Sequence, residues 1–242
     1  MTAKLYSLSV SHPARAAGLM LRHKGIDHTV VNLLPGSQRV ALRALGFRAG
    51  TVPAMKIDGR RVQGSLRISR VLEDLQPEPP LYPADPRQRA AVEDAEVWGE
   101  ADYQPVPRRL TRWGLSRDAG ARRSFAELTD MRLPALSAHA TQPLAAWFAR
   151  AVGATDEQVR ADFAALPSLL DRIDGLIGDG VLGGEQLNAA DFQIGTTTKI
   201  LLGFAQVREM LEGRPAAQHA MLVAPGFGGE SPIRVPEAWL PD

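Results

Sequence analysis

The 242-residue chain contains no cysteine. That absence excludes disulfides, a thiolate nucleophile, a CxxC redox pair and cysteine-ligated zinc, so any thiol chemistry must use sulfur from a bound molecule. No metal ligand is assigned. A long apolar run is missing too: nothing approaches the roughly 20 residues needed to span a bilayer, and the opening MTAKLYSLSV lacks the apolar core of a signal peptide. A cytoplasmic protein with no membrane partner is expected. There is also no Lys/Arg run and no aromatic-rich RNA motif, although charge is unevenly spread. Residues 1–80 hold 12 Lys+Arg against 5 Asp+Glu, and the remainder 16 against 22. Arginines scattered among apolar residues fit an anionic small molecule, or the acidic face of a partner subunit, better than nucleic acid.

What is present reads first as a mixed α/β unit. Lys4–Val10 is a short, partly alternating apolar run that suits a strand. Ser11-His12-Pro13 reads as a helix start with proline in its first turn, and Lys24-Gly25 as its end. His28–Leu33 is β-branched and strand-like, Gln38–Leu45 a short helix or irregular segment, and Ala54–Ile57 a strand. Asp58-Gly59 then turns the chain into Arg61-Val62 as a hairpin. Ser65 opens a helix with Leu66, Ile68, Val71, Leu72 and Leu75 as its apolar stripe.

The proline-dense QPEPPLYPAD, residues 76–85, is a stiff linker. Beyond it strand signals nearly vanish. Helices are expected at Pro86 to about Arg112, Phe125–Met131, Pro143–Val152, Thr155–Ile177, Ala189 to about Leu211 and Pro215–Leu222, followed by an extended tail. The domain assignment is therefore residues 1–77, a linker at 78–85, and a helical domain at 86–242.

Several residues admit both a structural and a functional reading. Pro53 is either a trans proline beginning an edge strand or the second half of a cis bond that offers the backbone of Val52 to a peptide-like ligand. Ser11 and Ser65 either cap their helices or use hydroxyl and helix dipole together on a thiolate or a carboxylate. His12 is an exposed first-turn histidine or a second polar group at such a site. If helical, Arg108 and Arg112 share a face, solvated or holding a substrate carboxylate. Trp98, Tyr103 and Trp113 border a pocket or pack between helices. Asn188 to Asp191 has the pattern of a capping box, which is stability chemistry.

The stretches KLYSLSVSHPARAAGLMLRHKGI, GTVPAMKIDGRRVQGSLRI, DYQPVPRRL and LNAADFQIG resemble the glutathione transferase family, in particular its serine-type zeta class, which is maleylacetoacetate isomerase-like. The resemblance implies a thioredoxin-like N-terminal domain, an all-α C-terminal domain, homodimerisation and a role in detoxification. It implies glutathione as co-substrate, with Ser11 as the thiol-activating serine, Pro53 as the cis-proline, Val52 on the glutathione backbone and Ser65 on the γ-glutamyl carboxylate. Gln38, Arg39, Gln63 and Gly64 join the thiol site, and His12, Tyr103, Arg108 and Arg112 the second-substrate site.

Gly64 departs from the family pattern, which has Glu, Asp or Gln there, and Thr51 stands where Lys or Gln is common. Arg48, Gln38, Arg39 and Gln63 are the candidates to compensate. The expected activity is a transferase, or an isomerase acting through glutathione addition and elimination, on a small electrophile that carries negative charge. The alternatives are a non-catalytic binding or regulatory protein on the same fold, a protein whose basic first domain docks an acidic partner, and an enzyme that uses a different thiol.

Overall fold

A computed structural model describes residues 1–129 and 134–241. Its first part runs β1 (Thr2–Ser7), α1 (His12–His23), β2 (Asp27–Asn32), α2 (Gln38–Ala44), β3 (Ala54–Ile57), β4 (Arg60–Gln63) and α3 (Ser65–Leu75). The four strands form one sheet in the order β2-β1-β3-β4, with β1–β2 parallel and the other two pairings antiparallel. This is the thioredoxin-like mixed sheet.

Strand periodicity explains how the sheet is covered. Successive side chains point to opposite faces, so Ala3, Leu5, Met55 and Ile57 join the main core while Tyr6 and Ala54 meet Leu42 and Phe47 in a smaller cluster with α2. The hairpin turn places both Asp58 (φ 43°) and Gly59 (φ 77°) at positive φ, as a two-residue turn matched to sheet twist requires. β1 ends at Ser7 rather than Val10, because residues 8–10 make the turn into α1, closed by Ser11 N–H donating to Leu8 C=O at 2.9 Å.

After a segment without helix or strand, α4 (Pro86–Trp98), α5 (Pro105–Arg117), α6 (Ala119–Leu128), α7 (Pro134–Ala140), α8 (Gln142–Ala151), α9 (Asp156–Gly178), α10 (Ala189–Leu201), α11 (Ala205–Leu211) and α12 (Pro215–Val223) follow. The helix expected over 86–112 is thus divided. Pro105 has no N–H to continue the ladder, and the chain widens into a π turn at Gly99–Tyr103, where Gln104 N–H reaches back to Gly99 C=O at 2.8 Å. The helix expected over 189–211 breaks at Gly203, which lies against the Gly229 carbonyl so closely that a Cβ could not fit. The helix expected at 125–131 begins earlier, at Ala119, capped by Asp118 accepting from Ala121 N–H; residues 130 and 131 lie outside the described residues.

The tail packs on the helices, with Ile233 and Val235 buried and Ile233 seated against Gly114. Asn188 and Asp191 form the expected capping box, and the same Asp191 accepts from His219 Nε2 at 2.6 Å. Buried Glu96 joins α3 to α4. It accepts from Ser69 and Tyr82 hydroxyls and pairs with Arg70 at 2.9 Å, and burial nevertheless pushes its carboxyl up to about 7.

Candidate functional site

A cleft of about 870 Å³ separates the sheet-bearing part from α5 and α8. Ser11, His12, Gln38, Arg39, Val52, Pro53, Gly64 and Ser65 line one side, and Arg108 and Arg112 the other. A smaller cavity of about 440 Å³ lies at the linker, bordered by Pro80, Tyr82, Arg87 and Asn188, and takes in none of the candidate site residues.

Ser11 is the N-cap of α1, its Oγ accepting from Ala14 N–H at 3.3 Å. That bond uses a lone pair, so the hydroxyl proton stays available to a group in the cleft. Capping and a ligand role are therefore compatible at this serine.

His12 is buried, not an exposed first-turn side chain. Its Nδ1 lies 3.1 Å from Thr197 Oγ1, and that hydroxyl is committed as a donor to Gln193 C=O at 2.8 Å. Thr197 must then accept, which fixes the imidazole as the Nδ1–H tautomer with a lone pair on Nε2. Burial first, and then the charge of Arg108, lower its pKa to about 3. His12 is therefore a neutral hydrogen-bonding group at neutral pH.

The Val52–Pro53 bond is cis, and neither the N–H nor the C=O of Val52 has a protein partner among the described residues. Pro53 C=O accepts from Gly64 N–H at 3.0 Å. Gly64 is the N-cap of α3 at φ 89°, a conformation that glycine adopts without a Cβ penalty. The position whose family pattern is acidic or amide is thus held here by a glycine at positive φ. Ser65 occupies the first helical position, not the cap. It is buried beside the cleft, and its hydroxyl has no protein partner among the described residues.

Gln63 behaves differently from its neighbours. Its Oε1 accepts from Ala49 N–H at 2.8 Å, while its Nε2 donates to the carbonyls of Ala49 at 2.8 Å and Thr51 at 3.3 Å. It braces the loop leading into the cis bond and does not line the cleft.

On the helical side, Arg109 forms a bidentate pair with Asp162 at 2.7 and 2.6 Å. Arg108 and Arg112 have no hydrogen-bond or carboxylate partner among the described residues, and Arg112 lies 5.0 Å over the Phe148 ring. Burial lowers the pKa of both groups; Glu100 opposes the effect at Arg108, and Arg108 adds to it at Arg112. Among the described residues the cleft lining holds five arginines (39, 43, 48, 108 and 112) against a single carboxylate, Glu100.

Tyr103 does not reach the cleft. It is fully buried, stacked on Trp98 with centroids 5.7 Å apart, and its hydroxyl meets Thr198 Oγ1 at 2.9 Å. Its expected substrate role is corrected to core packing. Trp113 likewise packs inside, donating to Asp156 at 2.7 Å. Gln104, from the Gln-Pro pair whose resemblance implied a place in the substrate pocket, does line the cleft, and its buried Nε2 has no partner among the described residues; sequence reasoning missed Phe125, Leu144, Trp147 and Phe148. The spacing 144, 147, 148, 151 carried a helical-face signal, but not which face the cleft would take.

A mixed four-stranded sheet followed by helices, with a cis-proline loop opposite a serine-capped helix, defines a glutathione transferase-like molecule. Residues 5–80 match the sequence model of the glutathione S-transferase N-terminal domain. Glutathione S-transferase Z2 of Arabidopsis thaliana is 41% identical over 105 residues, 42% of this chain and 47% of that protein. Maleylacetoacetate isomerase of Rattus norvegicus is 38% identical over 92 residues, 36% and 43% of the two chains. The chain thus spans about half the length of the curated relatives it matches.

Solved structures extend the likeness in fold to nearly the whole chain. A glutathione S-transferase from Rhodospirillum rubrum F11 covers 98% of it and is itself covered to 97%, with TM-score 0.58 and 20% identity. The beta-etherase LigF of Sphingobium sp. strain SYK-6 covers 93%, and is covered to 100%, with TM-score 0.64 and 19% identity. Residues 5–80 thus carry the glutathione S-transferase N-terminal domain, and the rest of the chain shares the glutathione transferase fold. No helix among the described residues is long and apolar enough to cross a membrane.

Proposed function

We propose that this protein is a glutathione transferase that activates the glutathione thiol for attack on an electrophilic, anionic small molecule. The observation that carries this reading is the convergence of Ser11, the unpaired backbone of Val52 and the unpaired hydroxyl of Ser65 on one wall of the cleft. A peptide-like ligand laid along that wall pairs with Val52 as a strand pairs with an edge. Ser65 and the first N–H groups of α3 take its carboxylate, where the helix dipole favours negative charge. The glutathione-bound theta-class structure from Xanthomonas axonopodis pv. citri, at TM-score 0.53 and 21% identity, lends support from the fold.

With the thiol at the start of α1, its proton passes to solvent. The Ser11 hydroxyl then donates to the thiolate, which the helix N-terminus also stabilises. The thiolate attacks an electrophilic carbon. In a conjugation a leaving group departs or the adduct is retained; in an isomerisation the carbon–sulfur bond breaks again after rotation about the former double bond. Glutathione is a co-substrate that the isomerisation returns unchanged. In this reading residues 1–77 form the thiol domain, 78–85 the linker and 86–242 the domain supplying Arg108 and Arg112. Two chains assemble as a homodimer.

A different anionic thiol is the second reading, favoured by one observation. Gly64 offers no side chain to an α-ammonium group, and Glu100, the only carboxylate among the described residues lining the cleft, follows α4.

Calorimetric titration of glutathione into wild type, Ser65→Ala and Ser11→Ala tests both readings. Ser65→Ala is expected to weaken binding about 10- to 100-fold, as hydrogen bonds to charged groups are worth ~1.5–3 kcal/mol. Ser11→Ala is expected to bind but to lose the ultraviolet absorbance of the bound thiolate. No heat with folded protein would overturn the glutathione reading and turn the search to other thiols.

A further inference from the structure

We infer that the second substrate is an aromatic anion, with its rings on α8 and its negative group between Arg108 and Arg112, rather than a short aliphatic dicarboxylate. The inference rests on the reading of the cleft as a transferase site and names the class of molecule that fills its other half.

The α8 wall has the chemistry of an aromatic platform. Leu144, Trp147, Phe148 and Ala151 come from successive turns of that helix and face the cleft together, with Phe125 of α6 beside them. Trp147 packs edge-on against Phe148, with centroids 4.9 Å apart at 71°, and is still 51% exposed. An exposed indole on a concave surface, its neighbour ring already fixed, is an open place for another aromatic ring. Val40, also exposed, borders the same cleft from α2.

Charge and aromatic surface are joined at one residue. Arg112 lies over the Phe148 ring, so its guanidinium stands at the edge of the platform with no carboxylate to neutralise it. Arg108 is one helical turn earlier, also without a hydrogen-bonded carboxylate among the described residues, with Glu100 as its nearest electrostatic counterpart. Arg122, buried nearby, donates to the carbonyls of Ala138 and Leu115, so among the described residues it meets neutral acceptors. A neutral aromatic molecule would leave Arg112 without a counter-charge and Arg108 with only the field of Glu100, which makes no hydrogen bond to it. A four-carbon dicarboxylate would satisfy them but leave Trp147 and Val40 in water. The volume of about 870 Å³ sits near the upper end of the ~300–1,000 Å³ range of small-molecule sites, enough for a tripeptide thiol and a ring-bearing second molecule together.

The test is calorimetric titration of 2-naphthoate, its neutral amide 2-naphthamide, and maleate, each into protein with and without saturating S-methylglutathione. Wild type is expected to bind 2-naphthoate about tenfold more tightly than either other probe. Trp147→Ala and Arg112→Gln should each weaken 2-naphthoate about tenfold while leaving S-methylglutathione affinity unchanged, and Arg112→Lys should fall between. Unchanged thiol-ligand affinity shows that the variants are folded. Maleate or 2-naphthamide binding as tightly as 2-naphthoate overturns the inference, as does 2-naphthoate affinity insensitive to both positions. If S-methylglutathione fails to bind while 2-naphthoate binds with the expected dependence, the thiol reading falls and the aromatic-anion site stands.

Discussion

The two walls of the cleft recognise ligands by different means. The wall proposed to take the thiol is built from helix ends and backbone: helix starts at Ser11 and Ser65, an amide at Val52 unpaired among the described residues, and a glycine at positive φ. The helical wall is built from long side chains, Arg108 and Arg112 from α5 and Leu144, Trp147 and Phe148 from α8. Backbone groups are held by the secondary structure that creates them, so the first wall suits one constant ligand. Side chains on helix faces change without changing the fold, so the second wall is where specificity is set.

His12 sits at the foot of both walls, and its effect should be the largest. Its folded-state pKa of about 3 lies below the ordinary 6.5, so the unfolded chain binds the proton first as the solution is acidified. Stability is fully present above pH 6.5 and is lost as pH falls toward 3, by roughly 5 kcal/mol over the whole window and roughly 3 kcal/mol by pH 4. Urea unfolding of wild type and His12→Gln at pH 7, 5 and 4 measures it. Parallel pH dependences for the two proteins would mean that the imidazole is not held neutral by the cleft.

Arg109 and Arg112 then separate a structural guanidinium from a recognising one on the same helix. Arg109→Ala strands the largely buried Asp162 carboxylate and should cost about 3 kcal/mol of stability. Arg112→Gln removes no ion pair and should change stability by less than about 0.5 kcal/mol. Thermal unfolding of both variants decides the comparison, and equal losses would show that Arg112 is also part of the scaffold.

Ser11→Ala sharpens the thiol wall. Losing one hydrogen bond to a thiolate should raise the bound thiol's pKa by roughly 1–2 units, so kcat/KM at neutral pH falls about 10- to 100-fold and recovers as pH rises. A loss that is constant with pH would assign the serine to binding alone.

That Ser11, Val52, Pro53 and Ser65 come together on one wall was largely legible because most of its parts are local. Pro53, Ser65 and the hairpin between them occupy 13 consecutive positions, and turn chemistry, capping and strand pairing all act over that range. Helical periodicity also placed Arg108 and Arg112 on one face. The aromatic wall was not legible, because it depends on how α8 docks against α5, some 40 residues away in sequence. A separation of 53 residues hid the distinction between Arg109, whose partner is Asp162, and its neighbours. Tyr103 was misplaced because a tyrosine beside a pocket-lining Gln-Pro reads alike whether it turns in or out. Only the π turn, which widens the helix at Gly99–Tyr103, directs it toward Thr198.

The smallest expected effect concerns Gly64, where backbone and chemistry compete. Nothing lies within 4 Å of a Cβ added there, so Gly64→Ala should lose about 1–2 kcal/mol through its positive φ alone, with no clash. Gly64→Gln carries the same backbone cost but returns an amide to a position beside Ser65. If the wall is held for glutathione, Gly64→Gln should bind it about two- to tenfold more tightly than Gly64→Ala does, one neutral hydrogen bond being worth ~0.5–1.5 kcal/mol. Calorimetry on the two variants, at matched temperature and with unfolding midpoints in hand, separates the terms. Equal affinities would mean that the added amide finds no ligand group, and that the thiol accepted here lacks the one the amide would reach.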